Sequence, residues 1–151
     1  YCGFKLKNVM TMANKVVFSK KNEGSGAGWH KDSYGKQFKS IIYLNDVENN
    51  NGPFQLVKNS NNLFNVLKTS IFLNKSYPNT RFENVEIQKI FNSKNLETLI
   101  GKAGTLIFFD PSLIHRGAPL ISSQRYAITN YYDSIHNYEN YINKISHEHK
   151  F

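Results

Sequence analysis

Turn residues cut this sequence into short β-prone runs, and that punctuation constrains the fold more than any other feature. Runs rich in β-branched and aromatic residues cover 15–18, 40–44, 54–57, 105–109 and 125–132, a composition suited to a pleated, half-buried surface. Gly35, Gly52-Pro53, Gly101, Gly104, Pro111 and Gly117-Ala118-Pro119 stand near their ends, where glycine turns the chain and proline denies a ladder its donor. Glu48-Asn49-Asn50-Asn51-Gly52-Pro53 separates two apolar runs as a hairpin connection does. One stretch departs from the pattern: residues 81–91 set Phe82, Val85, Ile87, Ile90 and Phe91 near helical spacing, which predicts a short helix. Together with 61–70 it forms a long excursion between two groups of strands, unlike the regular alternation of an α/β chain. The expected class is all-β with a minor helical insertion, a β-sandwich or barrel, in a single domain over 1–151.

A chain of 151 residues can enclose a core, and 40% hydrophobic with 14% aromatic content excludes disordered and fibrous classes. The longest apolar clusters, 41–44 and 106–109, are strand-sized, far short of the ~18–20 residues that cross a bilayer. The start, Tyr1-Cys2-Gly3-Phe4-Lys5-Leu6-Lys7, carries no signal-peptide pattern, and lone Cys2 has no internal disulfide partner. The expected location is therefore the cytoplasm. A net charge of +8 invites a polyanion-binding reading. Yet the excess is almost all lysine, scattered along the chain, with Lys20-Lys21 the one adjacent pair and only Arg81, Arg116 and Arg125 as arginines. A lysine- and asparagine-rich composition accounts for that charge without a binding surface.

The chemistry gathers in three places. In Trp29-His30-Lys31-Asp32, extended backbone would project His30 and Asp32 from one face. Imidazole nitrogen with carboxylate oxygen suits a divalent first-row metal, and one more histidine would complete a facial triad with open positions. Histidine hydrogen-bonded to a nearby carboxylate is the plain structural alternative. The segment 104–117 runs from an apolar strand through Asp110-Pro111 to a second apolar run that ends at His115. Arg125 then opens the closing run, as either half of a structural ion pair or the anchor of an acidic ligand.

In that order, His30-x-Asp32, His115 and Arg125, the sequence resembles the phytanoyl-CoA dioxygenase-like family of iron(II), 2-oxoglutarate-dependent oxygenases over residues 29–132. Context carries the resemblance: Asn51-Gly52-Pro53-Phe54-Gln55-Leu56-Val57-Lys58-Asn59-Ser60, the segment 101–110 with Ile114-His115-Arg116-Gly117, and Arg125-Tyr126-Ala127-Ile128-Thr129-Asn130-Tyr131-Tyr132. The resemblance implies a double-stranded β-helix, related to jelly rolls and cupins, with the metal in its mouth. It implies Fe(II) held by His30, Asp32 and His115, 2-oxoglutarate paired through Arg125, and O2 as oxidant. The implied reaction hydroxylates a small-molecule substrate and releases succinate and CO2; Asp32 favours hydroxylation, since halogenating relatives have a small residue there. Family members usually carry a longer N-terminal region that roofs the site, so an N-terminally truncated core is expected. Two rivals are a non-catalytic β-helix that binds metal or ligand, and a cupin-type metalloenzyme without 2-oxoglutarate, in which a buried Arg125 would need an internal acid.

Other residues carry weaker expectations. Tyr34, Gln37 and Lys39 read first as exposed loop residues and second as substrate contacts. Tyr43 reads as core, Arg116 as surface or ion-paired, and His147-x-His149 as part of a solvated tail. Trp29, Phe108, Phe109, Tyr131 and Tyr132 read as core aromatics rather than base-stacking platforms. The closing strand lacks the additional arginines of nucleic-acid oxygenases, which argues against a nucleic-acid partner.

Overall fold

In the computed structural model, which describes residues 2–20, 23–35, 37–75, 77–135 and 137, nine strands form two antiparallel sheets. The strands are β1 Leu6–Val17, β2 Trp29–His30, β3 Phe38–Tyr43, β4 Phe54–Val57, β5 Arg81–Phe82, β6 Leu96–Leu99, β7 Leu106–Phe109, β8 His115–Gly117 and β9 Gln124–Ser134. One sheet runs β1-β9-β3-β7 and the other β5-β2-β8-β4-β6. Neighbours in each sheet are distant in sequence, as a double-stranded β-helix requires.

Side-chain alternation sorts the five-stranded sheet into two faces. Trp29, Val57, Phe82 and Ile114 turn to one side and form a core with Ile87, Ile90 and Phe91. The helix α2, Asn84–Ile90, lies on this face, and burying Ile87, Ile90 and Phe91 contributes about 1.5–3 kcal/mol each. The opposite side turns inward, where Tyr43, Val47, Phe54, Ile107, Phe109 and Ala127 form a second core between the sheets.

The helical excursion is real but differently divided from the sequence expectation. Arg81 and Phe82 form a strand opposite His30 and Trp29, because Phe82 joins the core that Trp29 anchors. The helix starts only at Asn84, where a capping box pairs Glu83 with Glu86. A longer helix, α1 Leu63–Leu73, occupies the earlier part, with the Asn62 side chain accepting from the Asn65 N–H and Asn74 ending it at φ 49°. Strand β1 starts well before the expected run at 15–18. It pairs along β9 from Leu6↔Ser134 to Val17↔Gln124, with a bulge between Asn8 and Met10. Among the described residues no helix is long and apolar enough to cross a membrane.

Candidate metal centre

His30 ends β2, His115 opens β8, and the two are direct cross-strand partners. Asp32 lies just past the end of β2 and is fixed there by its backbone N–H, which donates to Pro111 O at 3.0 Å. Between them Lys31 turns the other way, as alternation demands. Its buried ammonium donates to Ser60 O at 2.8 Å and Ser112 O at 2.9 Å, and loss of water pushes its pKa down to about 8. The Ser60 hydroxyl in turn accepts from the Ile114 N–H at 2.7 Å. Lys31 thus fastens the strand end that carries His30 and Asp32 to the loop that delivers His115.

Both imidazoles are oriented by backbone. The Nδ1 of His30 lies 2.9 Å from Gly28 O and that of His115 2.8 Å from Leu113 O. A carbonyl only accepts, so each ring carries its proton on Nδ1 and presents a lone pair at Nε2. These lone pairs converge on one carboxylate, with His30 Nε2 3.5 Å from Asp32 Oδ1 and His115 Nε2 3.9 Å from Oδ2. One ligand atom from each residue lies within 4.8 Å of the others. Burial lowers the pKa of His30 and takes that of His115 down to about 4, which keeps both rings in the neutral form that binds metal. Two nitrogens and one carboxylate fit a divalent first-row ion and leave coordination positions free.

The triad opens on a cavity of about 270 Å³ between the sheets. Phe54, Phe109, Ile41 and Ala127 give it apolar walls, and Arg125 stands in its lining. Arg125 is 5% exposed, and it donates to Gly52 O and, at 2.7 Å, to Ser25 Oγ. Its Nε is buried with no partner. No carboxylate is paired with this guanidinium among the described residues, so of the two sequence alternatives the internal ion pair is absent. Burial lowers the Arg125 pKa, with partial relief from Tyr43.

Lys39 departs from expectation most. It sits on β3, 9% exposed, with its ammonium on Asp32 Oδ2 and 3.9 Å from the Tyr131 ring centroid. Strand pairing of Lys39 with Tyr131 and with Phe109 carries it inside. Tyr34 is half-buried and donates to Asn79 O, and Gln37 is half-buried. Tyr43 is core, as expected, but it also lines the cavity; its hydroxyl donates to Leu99 O and accepts from the Phe54 N–H. Arg116 makes no ion pair among the described residues. It lies 4.3 Å from the Trp29 ring centroid and donates to Gln55 and Asn84. Trp29 and Phe109 are buried, Tyr131 and Tyr132 half-buried, whereas Phe108 is exposed on the outer side of β7. His147 and His149 lie outside the described residues. Gly24-Ser25-Gly26-Ala27-Gly28, which no motif marks, places Ser25 and Gly26 in the cavity lining; its density of glycine is the one signal in the sequence.

The sequence profile of the family described as Phytanoyl-CoA dioxygenase (PhyH) matches residues 3–127. No curated protein matches at a significant level. Among solved structures, EctD from S. alaskensis in its apoform superposes with a TM-score of 0.62 at 18% identity, covering 90% of this chain and 48% of that one. The epimerase SnoN, in complex with Fe3+, alpha ketoglutarate and nogalamycin RO, gives 0.58 at 17% identity, covering 85% and 50%. HygX from Streptomyces hygroscopicus with nickel and 2-oxoglutarate bound gives 0.55 at 14% identity, covering 86% and 56%. At these identities the likeness is one of fold, and the chain spans about half the length of each of these three proteins.

Proposed function

We propose that this chain, which belongs to the phytanoyl-CoA dioxygenase family, is an iron(II)- and 2-oxoglutarate-dependent oxygenase that hydroxylates a small molecule. The observation that carries the reading is the pairing of two features across one cavity: three potential metal-ligating atoms within 4.8 Å and a buried arginine with no acid partner among the described residues. A cupin-type site without 2-oxoglutarate has no use for that arginine.

In this reading His30 and His115 would hold iron through Nε2 and Asp32 through a carboxylate oxygen. Iron and 2-oxoglutarate, when bound, supply the activation of dioxygen that puts one oxygen atom into a substrate C–H bond and yields succinate and CO2. Arg125 would pair with the distal carboxylate of 2-oxoglutarate, a charge pairing suited to orienting the co-substrate. Phe54, Phe109, Ile41 and Ala127 keep water from that pair, which strengthens it. The Gly28 and Leu113 carbonyls hold the imidazole planes and tautomers, so each Nε2 is set before metal arrives. Asp32 supports hydroxylation over halogenation, since the halogenating relatives have a small residue in its place.

A small-molecule substrate is supported by two of the matching structures, the SnoN complex with nogalamycin RO and a HygX complex with hygromycin B. The described residues that build the site come from both sheets, which supports one domain over 1–151. The test is succinate release from protein loaded with iron(II) and 2-oxoglutarate after oxygen is admitted. Succinate above the level of an Asp32→Ala control is expected; equal amounts from the two proteins would argue for the non-catalytic rival.

A further inference from the structure

We propose that Ser25 is a second residue of the distal-carboxylate pocket, its hydroxyl donating to the same carboxylate that Arg125 pairs with. The proposal rests on the reading of the cavity as a 2-oxoglutarate site and adds a residue that neither the sequence motif nor the metal triad contains.

Ser25 is held from two directions. Its Oγ accepts from Arg125 Nη2 at 2.7 Å, and its carbonyl accepts from the Gly117 N–H at 3.1 Å. A hydroxyl has one proton and two lone pairs, and a guanidinium only donates. The Ser25 proton is therefore not used on Arg125, and no acceptor for it occurs among the described residues. Beside it, Arg125 Nε is buried without a partner. The pocket wall thus offers a cation with an unused N–H and a hydroxyl with an unused proton, and it offers no anion. A carboxylate, with two oxygens and about four acceptor directions, answers that set of donors.

The backbone around Ser25 is shaped for this approach. A Cβ on Gly117 would stand 2.0 Å from Ser25 Oγ and 2.8 Å from Arg125 Nη2, so the hydroxyl occupies space that a side chain at position 117 would fill. Gly24 has φ +89°, and a Cβ there would lie 1.9 Å from Gly117 O; only glycine lets the loop come this near the strand. A Cβ on Gly26 would lie 2.2 Å from His30 Cε1. One loop therefore rests on a metal ligand and on Arg125 together, with Ser25 between them.

The experiment compares two ligands on the iron(II)-loaded protein without oxygen. Pyruvate has the 2-oxo acid head of 2-oxoglutarate and lacks the distal carboxylate. Dissociation constants for both are measured on wild type and Ser25→Ala by calorimetry, with iron affinity as a third reading. Ser25→Ala should weaken 2-oxoglutarate about tenfold, the loss of one hydrogen bond to a charged group, while pyruvate and iron stay within about twofold. Equal weakening of 2-oxoglutarate and pyruvate would overturn the proposal and make Ser25 a packing residue of the loop; no change in either would overturn it as well. Failure of the underlying reading looks different: wild type itself would bind 2-oxoglutarate no tighter than pyruvate.

Discussion

His30 and His115 face each other across adjacent strands with ring centroids 4.4 Å apart, each tied by Nδ1 to a carbonyl two residues before it. The two nitrogens left over aim at Asp32, so the geometry of the proposed metal site is set by the backbone. Replacing one ligand should then remove binding without unfolding the sheets. Asp32→Ala is expected to weaken Mn(II) by more than about 100-fold, a larger loss than removal of an outer partner causes, with an unchanged far-ultraviolet spectrum. Calorimetric titration checks it, and unaltered affinity would contradict the assignment.

The pH dependence of stability follows from His115. Its folded pKa is lowered from 6.5 to about 4 because burial disfavours the cation. Between these values the unfolded chain binds the proton and the folded chain does not, so stability is full above pH 6.5 and lost as pH falls toward 4. The loss is up to about 3 kcal/mol, and His30 adds to it in the same direction. Urea midpoints of the metal-free protein at pH 7.5, 5.5 and 4.5 should fall in that order, with a shallower slope for His115→Gln. Midpoints that rise on acidification would contradict the argument.

Lys39 would compete with a metal for Asp32. Its ammonium lies on Oδ2 of a would-be ligand in a site that must accept a dication, and like charges at this range repel by a few kcal/mol even when partly screened. Lys39→Met is expected to tighten Mn(II) binding about tenfold. In the metal-free protein it should cost about 1–3 kcal/mol, since Asp32 loses its counter-ion while keeping some contact with water. Weaker metal binding in this variant would instead make Lys39 the residue that holds Asp32 in its ligating pose.

Arg125→Ala separates co-substrate binding from metal binding. Removing a desolvated partner should weaken 2-oxoglutarate by about 3 kcal/mol and leave iron within about twofold, because the guanidinium donates to Gly52 and Ser25 rather than to a metal ligand. Equal loss of both ligands would contradict the role of Arg125.

Much of the site was legible because its residues sit where strand punctuation puts them. His30 and Asp32 are two apart at a strand end, which alternation reaches; His115 after an apolar run closed by a turn, and Arg125 near the start of the last strand, take their roles from the family resemblance. The remainder depended on long-range pairing. Lys39 looks like a loop residue until β3 is paired with β9, which turns it inward beside Tyr131. Ser25 is far from Arg125 in sequence, and only the close approach of Gly24 to Gly117 joins them. The length of β1 was hidden because most of its residues are exposed, which removes the alternation that marks a half-buried strand. Residues 81–82 were drawn into the helix expectation because Phe82 fits helical spacing, whereas its partner Trp29 decides that it is a strand.

An anaerobic titration of the metal-free protein, first with iron(II) and then with 2-oxoglutarate, followed by visible absorption, tests the oxygenase centre as a whole. Wild type should develop the weak charge-transfer band of a 2-oxo acid chelated to iron, one equivalent of each ligand per chain. Asp32→Ala and His115→Ala should show none. Folded wild-type protein that takes up both ligands' equivalents without a band, or binds neither, would contradict the assignment of His30, Asp32, His115 and Arg125 to one oxygenase centre.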